Sequence, residues 1–147
     1  MSYALRTGTL DDVDAVLALW LLAAERTDRS DRSDTREGVL ALVARHPQAL
    51  LLAEDEELVG TLIVGWDGWR CHLYRLAVHP DRRRQGIGRA LLEAAGQRAA
   101  VLGARRIDAM VLDGNELGRP VWAAAGYQHS PEWSRWVKAP SAGPVGR

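Results

Sequence analysis

Leu73-Tyr74-Arg75-Leu76-Ala77-Val78-His79-Pro80-Asp81-Arg82-Arg83-Arg84-Gln85-Gly86-Ile87-Gly88-Arg89-Ala90-Leu91-Leu92 is the most informative run in the chain. An apolar strand is stopped by Pro80, an arginine-rich turn follows, and two glycines stand at the mouth of an amphipathic helix. A chain builds an anion site in this order, because the first N–H groups of a helix have no intrahelical acceptor and the helix dipole favours negative charge there. A solvated basic turn accounts for the arginines but not for two glycines spaced in this way before a helix. A dinucleotide fingerprint requires Gly-x-Gly-x-x-Gly, and Leu91 stands at the third glycine position. A P-loop requires a longer gap between its glycines, closed by Gly-Lys, which is absent. What remains is a phosphate cradle of another type. Backbone N–H groups of the turn and helix start hold a pyrophosphate, arginines neutralise it, and Gly86 and Gly88 are expected to let the phosphate oxygens approach.

Working outward toward the C-terminus, the helix that opens at Gly86 runs to Leu102 and ends at Gly103, the residue expected just past a helix end. Ile107 to Leu112 reads as a strand. Asp113-Gly114-Asn115 reads as a turn, and Glu116 to Ala125 as a short helix with Pro120 tolerated in its first turn. Tyr127 and Trp133 to Val137 are expected to supply one or two last strands. Residues Ala139 to Arg147 are expected to form a disordered tail.

Toward the N-terminus, Trp66-Asp67-Gly68-Trp69 lies between two strand-like runs, and Asp-Gly is the strongest short-range hairpin signal. A two-residue loop there predicts that Trp66 faces Trp69, Val64 faces Cys71 and Thr61 faces Tyr74. Thr61, Ile63, His72, Tyr74 and Leu76 would then share one sheet face. Leu58 to Gly65 and Ala49 to Ala53 are the two preceding strands, joined by an acidic turn from Glu54 to Glu57. A helix capped at Asp34 or Thr35 and closed by His46-Pro47 comes before them. Residues Arg26 to Asp34 are polar throughout, a solvated loop or one that lines a pocket. Tyr3 to Arg6 suits a first strand. Thr9 suits an N-cap for a helix whose apolar face is Val13, Val16, Leu17, Trp20 and Ala24, reaching about Glu25.

The whole chain has 147 residues, enough for one domain with a real core. Its 19 basic and 19 acidic residues leave no net charge, so neither non-specific nucleic-acid binding nor attachment to an acidic membrane is expected. Cys71 is the single cysteine, so no intramolecular disulfide forms, and its place in a strand suits a buried, inert thiol. No apolar run is long enough to span a bilayer and no signal-peptide pattern opens the chain, so a soluble cytoplasmic protein is expected. No His, Cys or carboxylate cluster has metal-ligand spacing, so no metal is expected.

Arg83-Arg84-Gln85-Gly86-Ile87-Gly88 matches the Arg/Gln-x-x-Gly-x-Gly/Ala signature of the GNAT superfamily of acyl-CoA-dependent N-acyltransferases. The Leu76-Ala77-Val78 strand end and Pro80 precede it as they do in that family, and Asn115, Gly126 and Tyr127 resemble later family positions. Gly65-Trp66-Asp67-Gly68-Trp69-Arg70 is similar to the turn of a subgroup of small bacterial GNAT proteins, and this likeness covers roughly residues 3 to 137. The resemblance implies a single α/β domain over residues 1–138, with a central twisted, mixed, mostly antiparallel sheet flanked by helices on both faces. It further implies that acetyl-CoA is bound. Backbone amides of Arg84, Gln85, Gly86, Ile87, Gly88 and Arg89 would hold the pyrophosphate, with Arg82, Arg83 or Arg89 near phosphate. The backbone of Leu76, Ala77 and Val78 would pair with the pantetheine arm, Asn115 would lie along it, and the fourth and fifth strands would splay to admit it. Dimerisation through the terminal strands is also a family expectation.

One position departs from the family pattern. The tyrosine that protonates the departing thiolate in many members is replaced by Trp122. A thiol with a pKa near ~8.5 leaves tolerably unprotonated, and a general acid is commonly worth ~10² to 10⁴ in rate, so catalysis survives its loss. Tyr74 is a candidate substitute. Asp67, Glu116, His72 and His79 are candidate bases for the acceptor amine, each with a local structural explanation beside it. The expectation is acetyl transfer from acetyl-CoA to a primary amine of a small molecule or peptide, by direct attack in a ternary complex. The alternative is a CoA-binding sensor or interaction domain that retains the cradle without catalysis.

Overall fold

The computed structural model describes residues 2–23, 35–111 and 118–140. Two apolar runs, the second rich in β-branched residues, meet at Glu56, which takes a left-handed conformation (φ 64°) to turn the chain within one residue. They are β2 (Leu50–Asp55) and β3 (Glu57–Trp66), and they form the middle of a five-stranded sheet. β1 (Ala4–Thr7) pairs antiparallel with β2, and β4 (Cys71–Val78) antiparallel with β3. β5 (Ile107–Ala109) runs parallel to β4, closing the order β1-β2-β3-β4-β5. The sheet is therefore mixed and mostly antiparallel, as expected. The fifth strand stops at Ala109, short of the Leu112 expected from the apolar run; Leu112 itself lies outside the described residues.

Helices cover both faces. On one lie α1 (Val13–Ala23) and α2 (Arg36–Arg45), which bury Val13, Val16, Trp20, Val39 and Val43 against Leu50, Leu52 and Ile63. A short turn of helix, Leu10–Asp12, leads into α1, and Thr9 caps it in a reciprocal box with Asp12. Thr35 caps α2 by accepting from the Gly38 amide at 3.0 Å. The rest of the expected first helix, Ala24 and Glu25, lies outside the described residues, as does the polar run to Asp34.

The other face carries α3 (Ile87–Leu102) and the short α4 (Arg119–Ala124). Ile87, Leu91, Leu92, Ala95 and Ala99 form the helical stripe of α3 that packs on Leu51, Leu62, Val64 and Leu73. Gly103 ends α3 at φ 80°, the left-handed cap the sequence calls for. Pro120 sits in the first turn of α4. Glu116, expected to open α4, lies outside the described residues.

Two expectations are corrected. The hairpin loop is four residues long: Trp66 faces Cys71, Val64 faces Leu73 and Ile63 faces Tyr74. The Asp67 carboxylate explains it, since Oδ1 accepts from the Trp69 and Arg70 amides at 2.8 and 2.7 Å and so builds a wider turn than Asp-Gly alone would. The expected strands at Tyr127 and Trp133 to Val137 are not formed. Residues 128–140 are irregular and exposed, with Trp133 and Trp136 at 75% and 92% exposure. Of the expected tail, Ala139 and Pro140 are exposed irregular chain and 141–147 lie outside the described residues.

Candidate active site

Among the described residues the parallel β4–β5 ladder joins Cys71, His72 and Leu73 to Ile107, Asp108 and Ala109 and goes no further, while β4 continues to Val78. The second half of β4 thus borders an opening in the sheet. Its conformation changes at the point where β5 leaves it. Between the pairs Ile63–Tyr74 and Thr61–Ala77, Leu62 alone on β3 faces both Arg75 and Leu76 on β4. This is a β-bulge, and Arg75 adopts φ 57° to make it.

The bulge overturns the expected face assignment. Tyr74 lies on the side of α1 and α2, 44% exposed, whereas Leu76 and Val78 pack toward α3 and Ala77 toward α1. One inserted residue reverses the alternation of side chains, so Tyr74 and Leu76 do not share a face. Thr61 is fully buried beside the bulge. Its Oγ1 accepts from Trp20 Nε1 at 2.9 Å and donates to the Arg75 carbonyl at 3.0 Å.

Beyond Val78 the chain turns through Pro80–Arg82, where the His79 ring accepts from the Asp81 amide at 3.1 Å. Arg82 bonds Asp55 at 3.0 Å and Gln85 at 2.9 Å, tying the turn to the end of β2. That guanidinium is occupied as scaffold. Arg83 reaches back to the Ala23 carbonyl at the end of α1, 3.4 Å away. Arg84 (φ 63°) and Gly86 (φ 82°) are both left-handed, and Ile87, Gly88 and Arg89 begin α3 with amides that helix geometry leaves without acceptors. Successive left-handed and helical residues aim their N–H groups into one concavity, the arrangement that holds an anion.

The two glycines differ in their reasons. A Cβ at Gly86 would meet no neighbour, so its glycine answers the positive φ. A Cβ at Gly88 would lie 3.3 Å from Val121 Cγ1 and 3.7 Å from Val78 Cγ2. Gly88 is buried between α3, α4 and β4, and its small size serves helix packing rather than the phosphate approach expected of it. Gly60 plays a similar part that periodicity did not announce: a Cβ there would come within 2.8 Å of Ile87 Cγ2 and 3.1 Å of Leu91 Cδ1. It lets the start of α3 settle onto β3.

The remaining candidates are dispersed. Asp67 sits at the hairpin end of β4, with Oδ2 3.0 Å from His72 Nε2. The Arg70 amide, His72 and the Trp69 amide hold its carboxyl down to about 2. From the start of β4 to Leu76 is roughly 15 Å of strand, so Asp67 lies far from the opening. Trp122 is buried against Tyr127 in an edge-on contact with ring centres 5.2 Å apart. Burial pushes the Tyr127 hydroxyl and the Cys71 thiol up. Cys71 lies in the core and Tyr127 packs half-buried against it. Asn115 lies outside the described residues. An open hollow of about 550 Å³ between the Thr9 turn and α2 contains none of the residues from Leu76 to Arg89. Among the described residues no group of His, Cys, Asp and Glu is arranged to hold a metal ion. Thr61, Trp20 and Gly60 escaped the sequence reading, because a threonine and a glycine in a strand and a tryptophan on a helical stripe carry no local mark of a role.

The fold and site define a class: a mixed α/β sheet split beside a backbone anion cradle at the start of α3. The family model described as Acetyltransferase (GNAT) family matches residues 14–127, and the chain belongs to that family. It is an acetyltransferase by family. It is 34% identical over 108 residues to an acetyltransferase of Pectobacterium atrosepticum, covering 72% of this chain and 74% of that one. Its fold resembles Ard1 from Thermoplasma volcanium, with TM-score 0.77, 17% identity and coverage of 88% and 85% of the two chains. It also resembles the PaiA N-acetyltransferase of Thermoplasma acidophilum, solved in complex with coenzyme A, with TM-score 0.74, 17% identity and coverage of 87% and 91%.

Proposed function

We propose that the chain transfers an acetyl group from acetyl-CoA to a primary amine by direct attack in a ternary complex. The observation that carries this reading is the continuity of the open β4 edge, Leu76 to Val78, with the cradle from Arg84 to Arg89. An extended carrier with a pyrophosphate at one end and a thioester at the other fits such a site along its length. The fit is chemical as well: Leu76, Ala77 and Val78 offer strand backbone to an amide-bearing arm. Gln85, Gly86, Ile87, Gly88 and Arg89 offer N–H groups, and Arg83, Arg84 and Arg89 offer charge. The relative solved with coenzyme A supports the same donor.

In the reaction the amine nitrogen forms a bond to the thioester carbon, the C–S bond breaks, and the amine loses a proton to solvent or a nearby base. Backbone N–H groups at the bulge stabilise the tetrahedral oxyanion. An α-amine near pKa ~8 needs little help with its proton, whereas a lysine near ~10.4 costs several kcal/mol at neutral pH. Tyr74, exposed on the α1 side, is the candidate to protonate the thiolate, since Trp122 is packed in the core and has no acidic hydroxyl. Asp67, paired with His72 at the hairpin end of β4, is the candidate base from the sequence but lies roughly 15 Å of strand from the Leu76 end where the thioester would sit. The acceptor is a small molecule or peptide. A homodimer and a cytoplasmic location belong to the same proposal; no described helix is long and apolar enough to cross a membrane.

Thermal unfolding with acetyl-CoA tests the core of it. The midpoint is expected to rise with cofactor and the rise to vanish in Arg83→Glu/Arg84→Glu; no rise at millimolar cofactor sinks the proposal. Release of free CoA across a panel of amines, peptides and aminoglycosides then separates transferase from sensor. Trp122 favours the sensor as the second reading, and binding without CoA release on any acceptor would establish it.

A further inference from the structure

The backbone of β4 changes partner edge at the bulge. The Cys71 amide donates toward β5, to the Arg106 carbonyl at 3.1 Å, so regular alternation would send the amides of Leu73, Arg75 and Ala77 to that edge and those of Leu76 and Val78 toward β3. The His79 amide instead donates to Val59 on β3 at 2.9 Å, which shows that the alternation has been inverted. After the bulge, Ala77 and His79 face β3, while Leu76 and Val78 turn their N–H groups to the open edge. The inserted residue therefore decides which amides the opening receives.

An insertion of this kind removes a carbonyl from the ladder and places a non-glycine residue in a left-handed conformation, both of which need compensation. Arg75 has φ 57°, and its carbonyl is captured by the Thr61 hydroxyl at 3.0 Å. Trp20 Nε1, which only donates, occupies the acceptor side of that hydroxyl at 2.9 Å and so fixes its proton toward Arg75. Thr61 is fully buried and Trp20 nearly so, leaving water no place in the relay. A valine at position 61 would fill the same space on β3 and remove the donor that holds the carbonyl.

We propose that Thr61, oriented by Trp20, is a positioning residue that locks the β4 bulge and thereby aims the Leu76 N–H at the thioester carbonyl. The proposal rests on the acetyl-CoA reading above and names the device that makes its oxyanion donor. Thr61 touches neither cofactor nor acceptor; it acts through Arg75.

Free CoA lacks the acetyl group, so the ratio of affinities for acetyl-CoA and CoA reports on the contacts of that group, the thioester carbonyl among them. Calorimetric titration of both ligands is expected to show a preference for acetyl-CoA in the wild type. Thr61→Val is expected to weaken acetyl-CoA about tenfold, the order of one lost hydrogen bond, and to leave CoA within twofold. Thr61→Ser, which keeps the hydroxyl, is expected to retain the preference. Trp20→Phe, which removes the orienting donor and also shrinks the buried ring 5.2 Å from the Arg75 guanidinium, provides a second reading if Thr61→Val fails to fold, and is expected to shift the ratio in the same direction. Equal loss for both ligands, no loss, or a serine variant as impaired as valine would overturn the proposal while leaving the CoA reading intact. Wild-type protein that binds neither ligand overturns the transferase reading and this proposal with it.

Discussion

Gly60 and Gly86 serve one helix start by opposite means. Gly86→Ala introduces a side chain into open space at φ 82°, so its cost is backbone strain of about 1 kcal/mol, and the loss falls mainly on the cradle conformation. Gly60→Ala places its methyl 2.8 Å from Ile87 Cγ2 in a packed core, a conflict relieved only by shifting α3, at about 1–3 kcal/mol. Chemical denaturation is expected to rank Gly60→Ala as the more destabilised, and both are expected to weaken acetyl-CoA. Unchanged stability in Gly60→Ala would mean that α3 yields freely at its first turn. Tyr74 gives a different signature, because it holds nothing in the core: Tyr74→Phe is expected to lower kcat by about 10² with acetyl-CoA affinity unchanged. A kcat within twofold of wild type would mean that the thiolate departs unprotonated.

At the scale of elements, β1 and the first helical turn are joined by charge. Arg6 grips Asp12 through its two terminal guanidinium nitrogens at 2.8 and 2.9 Å and reaches Glu54 on β2 through Nε at 3.0 Å. Arg6 holds the Asp12 carboxyl down to about 2, with the Thr9 amide helping and burial opposing. A carboxyl whose folded pKa lies below its unfolded one stabilises the fold above the unfolded value and stops doing so as pH falls through the folded value. Asp12→Asn is therefore expected to lower the melting temperature at pH 7, by the equivalent of about 1 kcal/mol for a part-exposed pair, with the difference closing between about pH 4 and pH 2. A difference that persists at pH 2 would assign the effect to the cap's shape rather than its charge. This capping residue was visible in the chain because Thr9 and two acidic residues carry their own signal, and so were the Thr35 cap, the Gly103 stop and the Gly86 cradle. The bulge was not. It arises from a carbonyl on β4 meeting a hydroxyl fourteen residues earlier on β3, a contact with no local signature. The hairpin failed for a related reason, since Asp67 uses its side chain to widen a turn whose dipeptide argues for a tighter one. The terminal strands failed because alternating aromatics describe a strand only when a neighbouring edge pairs with them.

For the molecule as a whole, the absence of net charge sharpens what the cradle can do. Many charges cancel locally: Arg6 with Asp12 and Glu54, Arg36 with Asp14, Arg82 with Asp55, Arg106 with Asp108. Arg83, Arg84 and Arg89 form no ion pair with a described residue, so a positive field remains beside the amides of α3 while the rest of the surface is near balance. Such a field is short in range, about 10 Å at 0.1 M salt. Acetyl-CoA affinity is thus expected to fall several-fold between about 0.05 and 0.5 M salt, with little change in the melting temperature of the free protein. The fall should be far smaller than the 10³- to 10⁵-fold loss typical of a protein making many phosphate contacts on a duplex. Arg84→Glu should flatten the dependence as well as weaken binding, whereas Arg106→Glu, just before β5, should leave it unaltered. Calorimetry across that salt range decides the matter: affinity indifferent to salt would remove the arginines from the cradle and leave the backbone amides as its whole attraction for phosphate.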